Sequence, residues 1–218
     1  MKPSNIFEVY EDRGKIFTKN LAPGIQVYEE KLVKDKSIEY REWIPHKSKL
    51  ASFLKKGAKN IFMRKDSVIL YLGSSTGTTV SHVSDIAHEG FIFALDSAPR
   101  VIRDLYFVAE SRPNIAPILA DANHPETYKE RVSAVDIVFQ DISQKNQVDI
   151  FLKNINTYLI KGGYALLAIK ARSIDVTAKP AKIFAQVRTQ LESALTIIDA
   201  KDLSPFQKDH MLFVCKKR

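Results

Sequence analysis

At 218 residues the chain can hold one sizeable core, or one domain of about 150 residues with a small appendage, but not two large domains. With 45% hydrophobic and 27% charged residues, and only 8 Gly and 9 Pro, the composition excludes a collagenous or largely disordered chain. Lys+Arg 33 against Asp+Glu 25 leaves +8, which favours an anionic partner such as nucleic acid; the single cysteine, Cys215, excludes a disulfide framework and a cysteine-rich metal site.

The start, MKPSNIFEVYEDRGK, has no apolar core of signal-peptide length, and no apolar run approaches about 18 residues, so no membrane association is expected and the expected location is cytoplasmic. The first part alternates in short segments, Asn5–Tyr10, Lys15–Thr18, Ile25–Lys31 and Ile38–Trp43, broken by Asp12-Arg13-Gly14 and Pro23-Gly24. These are strand and turn signals. Lys47–Lys56, with Leu50, Ala51 and Leu54 at helical spacing, predicts a helix that closes a β-rich N-terminal portion, residues 1–56.

From Ser67 the period changes. The apolar runs VILYL (68–72), FIFAL (91–95), IAPIL (115–119), VDIVF (135–139) and YALLAI (164–169) alternate with longer amphipathic stretches. Buried runs separated by roughly 20 to 30 residues predict right-handed strand–helix–strand crossovers and a doubly wound, mostly parallel sheet: an α/β catalytic domain over residues 57–218. Thr196–Asp199 and Met211–Val214 are too close for a helical crossover, so an antiparallel pair is expected at the sheet edge.

In such a sheet, ligands bind beyond the carboxyl ends of the strands. After the first run comes Gly73-Ser74-Ser75-Thr76-Gly77-Thr78-Thr79, a small-residue turn opening a helix. Asp96 follows the second run, at about the 20-residue spacing from Gly73 that suits ribose hydroxyls. Asp121-Ala122 follows the third run, Asp141 the fourth, and Lys170 ends the fifth. Alone, Asp96 or Asp121 reads as a helix cap and Lys49 as a solvated charge; a lysine ending a buried strand, as Lys170 does, reads as functional.

The dinucleotide pattern G-x-G-x-x-G needs glycines where Ser75 and Thr78 stand, and the phosphate-binding loop needs Gly-Lys where Thr78-Thr79 stand. Three carboxylates are poor neighbours for polyphosphate. They suit a ligand combining ribose, adenine and a cationic sulfonium, which points to S-adenosylmethionine. None of His46, His88 and His124 has ligand-like spacing, so no metal is assigned.

The stretch YLGSSTGTTVSHVSDI (71–86) resembles the signature of the fibrillarin family of guide-RNA-directed RNA 2′-O-methyltransferases. The likeness continues through EYREWIPHKSKLA (39–51), ALDSAPRVIRDL (94–105), ADANHPETY (120–128), VDIVFQDISQKNQVDIFLKN (135–154), KGGYALLAIKARSID (161–175) and LSPFQKDHMLFV (203–214). No Gly/Arg-rich leader precedes Met1–Tyr10, so the resemblance is to the archaeal type. Where the family carries Glu then Phe after the second strand, this chain has Asp96-Ser97, and the alanine-containing turn is Ser74-Ser75-Thr76.

The resemblance implies that Gly73, Thr78 and Thr79 meet the methionine end of the cofactor, Asp96 and Ser97 the ribose side, and Asp121 and Ala122 the adenine. Asp141, Ile142, Ser143 and Gln144 would line the sulfonium and methyl side. The family's Lys-Asp-Lys-His catalytic tetrad falls on Lys49, Asp141, Lys170 and His210. Methyl transfer requires the RNA 2′-hydroxyl to be positioned and to lose a proton, for which Lys170 is the candidate base.

The resemblance further implies a box C/D ribonucleoprotein, with guide RNA, target rRNA and in some cases tRNA, a Nop-family scaffold protein and a kink-turn-binding ribosomal-type protein. A stand-alone small-molecule methyltransferase would not need the +8 charge or the Lys49/Lys170 pair. The complete tetrad argues against a non-catalytic RNA-binding subunit.

Overall fold

Short apolar runs and amphipathic stretches resolve into two sheets in the computed structural model, which describes residues 1–218. The first sheet is antiparallel and contains β1 (Lys2–Pro3), β2 (Val9–Asp12), β3 (Lys15–Lys19), β4 (Leu32–Asp35) and β5 (Ile38–Glu42), ordered β1-β2-β3-β5-β4. A 3-10 turn at Pro45–Lys47 then leads into α1 (Lys49–Lys55). Next come β6 (Val68–Leu72), α2 (Thr78–Ile86), β7 (Phe91–Asp96), α3 (Pro99–Glu110), β8 (Ile115–Leu119) and β9 (Val135–Gln140). The chain ends with α4 (Gln147–Tyr158), β10 (Leu159–Lys170), α5 (Ala171–Ile174), α6 (Pro180–Ala194), β11 (Leu195–Asp202) and β12 (His210–Lys217).

The second sheet has seven strands in the order β11-β12-β10-β9-β6-β7-β8. Strands β6 to β10 pair in parallel; β12 runs against both β10 and β11, the antiparallel pairing expected near the edge. The strand order reverses at β6, whose neighbours are β7 and β9, so a crevice opens beyond its carboxyl end.

Along β6, Ile69 and Tyr71 pack into one core cluster while Leu70 and Leu72 pack into the other. Both faces are covered, which is why the run is apolar throughout rather than alternating. The first cluster also holds Ile6, Val9, Ile16 and Trp43, so the N-terminal sheet shares its core with the main one.

Three sequence expectations are corrected. Asn5–Tyr10 is not one strand: Ser4 Oγ accepts the Ile6 amide at 3.1 Å, Glu8 is left-handed (φ 55°), and pairing starts only at Val9. Ile25–Lys31 is a loop. The Glu30 carboxylate accepts the amides of Val27 and Tyr28 at 3.1 and 2.8 Å, capturing donors that a strand would give to a neighbour. The Lys47–Lys56 helix starts instead at Lys49, because Ser48 takes an extended conformation (φ −146°) and caps it, accepting the Ala51 amide at 3.2 Å.

Candidate active site

The glycine turn is shaped by close approach. Gly73 has φ +79°, and a Cβ there would lie 2.4 Å from the backbone oxygen of Asp141. Any side chain would therefore push apart the ends of β6 and β9. Gly77, at φ +101°, caps the N-terminus of α2.

Beyond these strand ends lies a cleft of about 310 Å³. Its walls are Gly73 and Ser75 after β6, Leu95, Asp96 and Ser97 at the end of β7, Asp121 and Ala122 after β8, and Asp141, Ile142, Ser143 and Gln144 after β9. Nine of these eleven are positions that the family resemblance implies for the cofactor; the other two are Ser75, from the small-residue turn, and Leu95. No lysine or arginine lines the cleft. An acidic cradle with a backbone pressed close at Gly73 fits a ribose and a cationic sulfonium and is unsuited to phosphates.

Asp96 is both a brace between loops and a wall of the cleft. Its two oxygens accept the amides of Ser75 and Ala98, each at 3.1 Å, tying the glycine turn to the start of α3. Asp121 accepts both the amide and the side-chain Nδ2 of Asn123 at 2.9 Å, and these bonds hold its carboxyl below the usual range. Asn123 Nδ2 also donates to Gln144 Oε1 at 3.0 Å, bridging the loops after β8 and β9. Sequence reading missed Asn123, although it stands in the ADANHPETY stretch.

Thr78 and Thr79 begin α2 but do not line the cleft. Thr79 is buried, and its Oγ1 donates to Ser48 Oγ at 3.0 Å. This bond fastens α1 to α2 and so helps to place Lys49, the first residue of α1. Lys49 Nζ lies 2.6 Å from Asp141 Oδ1.

Lys170 and His210 face each other across the β10–β12 pairing. The buried His210 donates from Nδ1 to the Lys208 carbonyl at 2.6 Å, which leaves Nε2 as an acceptor. Burial lowers its pKa first; the Lys49 and Lys170 charges add to this, while the Lys208 bond and Asp141 oppose it. The balance keeps the ring neutral at pH 7. All four tetrad positions thus meet at one rim. Lys170 has no acidic partner within ion-pair distance, whereas Asp141 is engaged by Lys49.

Asp96→Ala is expected to weaken S-adenosylmethionine binding by about 1 to 3 kcal/mol, the usual cost of losing hydrogen bonds to a charged acceptor. Calorimetry on the isolated chain reads this directly. Unchanged affinity would remove Asp96 from the cofactor site.

A doubly wound sheet of this order, with β12 reversed and an acid-lined cleft at the β6 switch point, defines a Rossmann-like S-adenosylmethionine-dependent methyltransferase. The profile of the Fibrillarin family matches residues 1–218, and the chain belongs to that family. It is 48% identical over 213 residues to the fibrillarin-like rRNA/tRNA 2′-O-methyltransferase of Methanocaldococcus jannaschii, covering 96% of this chain and 93% of the relative. The crystal structure of Aeropyrum pernix fibrillarin with natively bound S-adenosyl-L-methionine superposes with a TM-score of 0.85 at 44% identity, over 92% of this chain and 88% of that one. A fibrillarin/Nop5p complex structure aligns over the whole of both chains at 36% identity and a TM-score of 0.91.

Proposed function

We propose that this chain transfers a methyl group from S-adenosylmethionine to the ribose 2′-hydroxyl of rRNA, and of tRNA, at nucleotides selected by a box C/D guide RNA. The observation that carries this reading is the ion pair of Lys49 with Asp141, a wall of the acid-lined cleft, at 2.6 Å, together with the pairing of Lys170 with His210 at the adjoining end of β10 and β12. The relative's name supplies the RNA classes, and the Nop5p complex of another relative supports a Nop-family scaffold as partner. A kink-turn-binding protein and the guide RNA complete the particle, which works in the cytoplasm. No helix is long and apolar enough to cross a membrane.

S-adenosylmethionine, when bound, supplies an electrophilic methyl group on a sulfonium. The chain holds it through the carboxylates of Asp96 and Asp121 and the loop Asp141–Gln144, all walls of the cleft. Lys170, as the neutral amine and with no carboxylate within ion-pair distance, accepts the proton of the 2′-hydroxyl as its oxygen bonds to the methyl carbon and the sulfur–methyl bond breaks, leaving a neutral thioether. Asp141 holds Lys49 at 2.6 Å, so that one cation is fixed beside the reaction centre to orient the ribose and its phosphate. His210 Nε2, aimed by the Nδ1 bond to Lys208, holds a hydroxyl or ammonium donor.

A 2′-hydroxyl looks alike on every nucleotide, so target choice belongs to base pairing with the guide. Purified alone, the chain should methylate a guide–target duplex poorly, and its weak RNA binding should fall steeply with salt as phosphate contacts release counterions. Site-specific methylation at full rate by the isolated chain would refute the assembly.

A further inference from the structure

We infer that Gln147 is a positioning residue for methyl transfer: its buried side-chain amide holds the cofactor loop after β9 and the end of β10 at a fixed separation. This rests on the methyltransferase reading above and adds to it a residue that touches neither ligand.

The need for such a residue comes from the sheet itself. The β9–β10 ladder ends at the Gln140–Leu167 pair, and beyond it the two strands part. Asp141 to Gln144 turn into the cleft wall while β10 runs on to Lys170. The amide of Lys170 therefore has no partner on β9. Gln147 Oε1 takes that place, accepting the Lys170 N–H at 3.3 Å.

The other end of the same side chain holds the loop. Gln147 Nε2 donates to the Gln144 carbonyl at 2.7 Å, and the Gln147 amide reinforces this bond at 3.3 Å. Gln147 is itself anchored: it opens α4, is 0% exposed, and its carbonyl accepts Gln140 Nε2 at 2.6 Å. One neutral amide thus spans the loop lining the sulfonium side and the strand that carries Lys170. Neither bond involves a charged side chain, so it fixes geometry without altering the electrostatics of Asp141 or Lys170.

Removing the amide lets the two segments move independently. A displacement of about 1 Å at a reacting group costs on the order of a hundredfold in rate. Gln147→Met, which keeps length and apolar bulk, is therefore expected to lower kcat of the reconstituted particle by about tenfold to a hundredfold, with KM for RNA nearly unchanged. Calorimetry on the isolated chain should show S-adenosylmethionine affinity weakened by roughly twofold to tenfold, because the Gln144 carbonyl loses its donor.

Asn114→Leu is the control for general destabilisation. Asn114 is also buried, and its amide bonds Ser84 and the Ala87 carbonyl, away from the cleft. Assayed below its melting temperature, it should keep wild-type kcat and cofactor affinity. Gln147→Glu, which keeps the acceptor for Lys170 but not the donor to Gln144, provides a second reading should the methionine variant not fold. It should retain the affinity loss.

Wild-type kcat and affinity in Gln147→Met, or losses equal to those of Asn114→Leu, would overturn the inference. An inert wild-type particle would instead count against the proposed function, and the calorimetric comparison, which needs no RNA, would still decide the role of Gln147.

Discussion

Lys170→Met is expected to slow methyl transfer in the assembled particle by about a hundredfold or more while leaving S-adenosylmethionine affinity nearly intact. That is the usual scale for removing a positioned proton acceptor. The expectation follows from the division of labour between the two lysines. Lys49 is paired with Asp141 at 2.6 Å, whereas Lys170 ends β10 opposite His210 with no carboxylate in reach. Lys170→Arg separates base from anchor, because a guanidinium keeps the charge and most of the reach but cannot take up a proton. Single-turnover rates should fall as far in Lys170→Arg as in Lys170→Met. Near wild-type rates in Lys170→Arg would make Lys170 a positioning cation and place the acceptor elsewhere.

The largest stability effect is expected at Asp85, which joins the N-terminal sheet to α2. Its carboxylate receives Arg41 Nη1 at 3.0 Å, Arg112 Nη1 at 2.6 Å, Thr18 Oγ1 at 2.6 Å and the Leu21 amide at 3.0 Å. Arg41 also pairs with Glu30 at 2.5 Å, and all four charged side chains are fully buried. Two carboxylates balance two guanidinium groups. Asp85→Ala leaves cations buried without compensation, which costs about 3 to 5 kcal/mol and should lower the melting temperature by roughly 10 °C. Calorimetric melting checks it; a loss under about 1 kcal/mol would mean that the network relaxes around the gap.

The same network sets a pH dependence. His82 is buried between Thr18 Oγ1 at 2.7 Å and the Tyr28 hydroxyl at 2.6 Å, and stacks on Trp43 with ring centroids 4.8 Å apart. Burial first, and then Arg41 and Arg112, push its pKa well below the ordinary value. The unfolded chain therefore binds a proton below about pH 6.5 that the folded chain refuses, so stability falls with acidification from that point, by up to about 1.4 kcal/mol per pH unit. Denaturant unfolding from pH 7 to 5.5 should show this slope reduced in His82→Gln. Equal slopes would show that His82 takes up its proton without unfolding.

The strands that build the cleft are legible because each is a continuous apolar run. VILYL and IAPIL coincide with β6 and β8, and the runs from Phe91 and Val135 each extend one residue further, to Asp96 and Gln140. Within these runs the one charged position is Asp136 of β9, which accepts the Val68 amide at the start of β6 at 2.8 Å. The N-terminal sheet is harder to read, because its breaks come from side chains that capture backbone donors. Ile25 and Val27 alternate like a strand, yet Glu30 turns that segment aside.

The site divides in the same way. The carboxylates after β7, β8 and β9 follow from strand ends alone, since the fold brings those ends together. Lys49 and His210 are accessible only through the family resemblance, because no local spacing relates α1 or β12 to Asp141. Asn123, Ser48 and Gln147 act through single long-range hydrogen bonds, which leave no periodic trace in the sequence.

The most direct test of the account is to map ribose methylation on a target RNA incubated with the reconstituted particle: this chain, a Nop-family scaffold, a kink-turn-binding protein, a box C/D guide RNA and S-adenosylmethionine. The account predicts one 2′-O-methyl group at the guide-specified nucleotide, lost with Lys170→Met and moved when the guide is changed. Methylation that ignores the guide, falls on a base, or persists without this chain would contradict it.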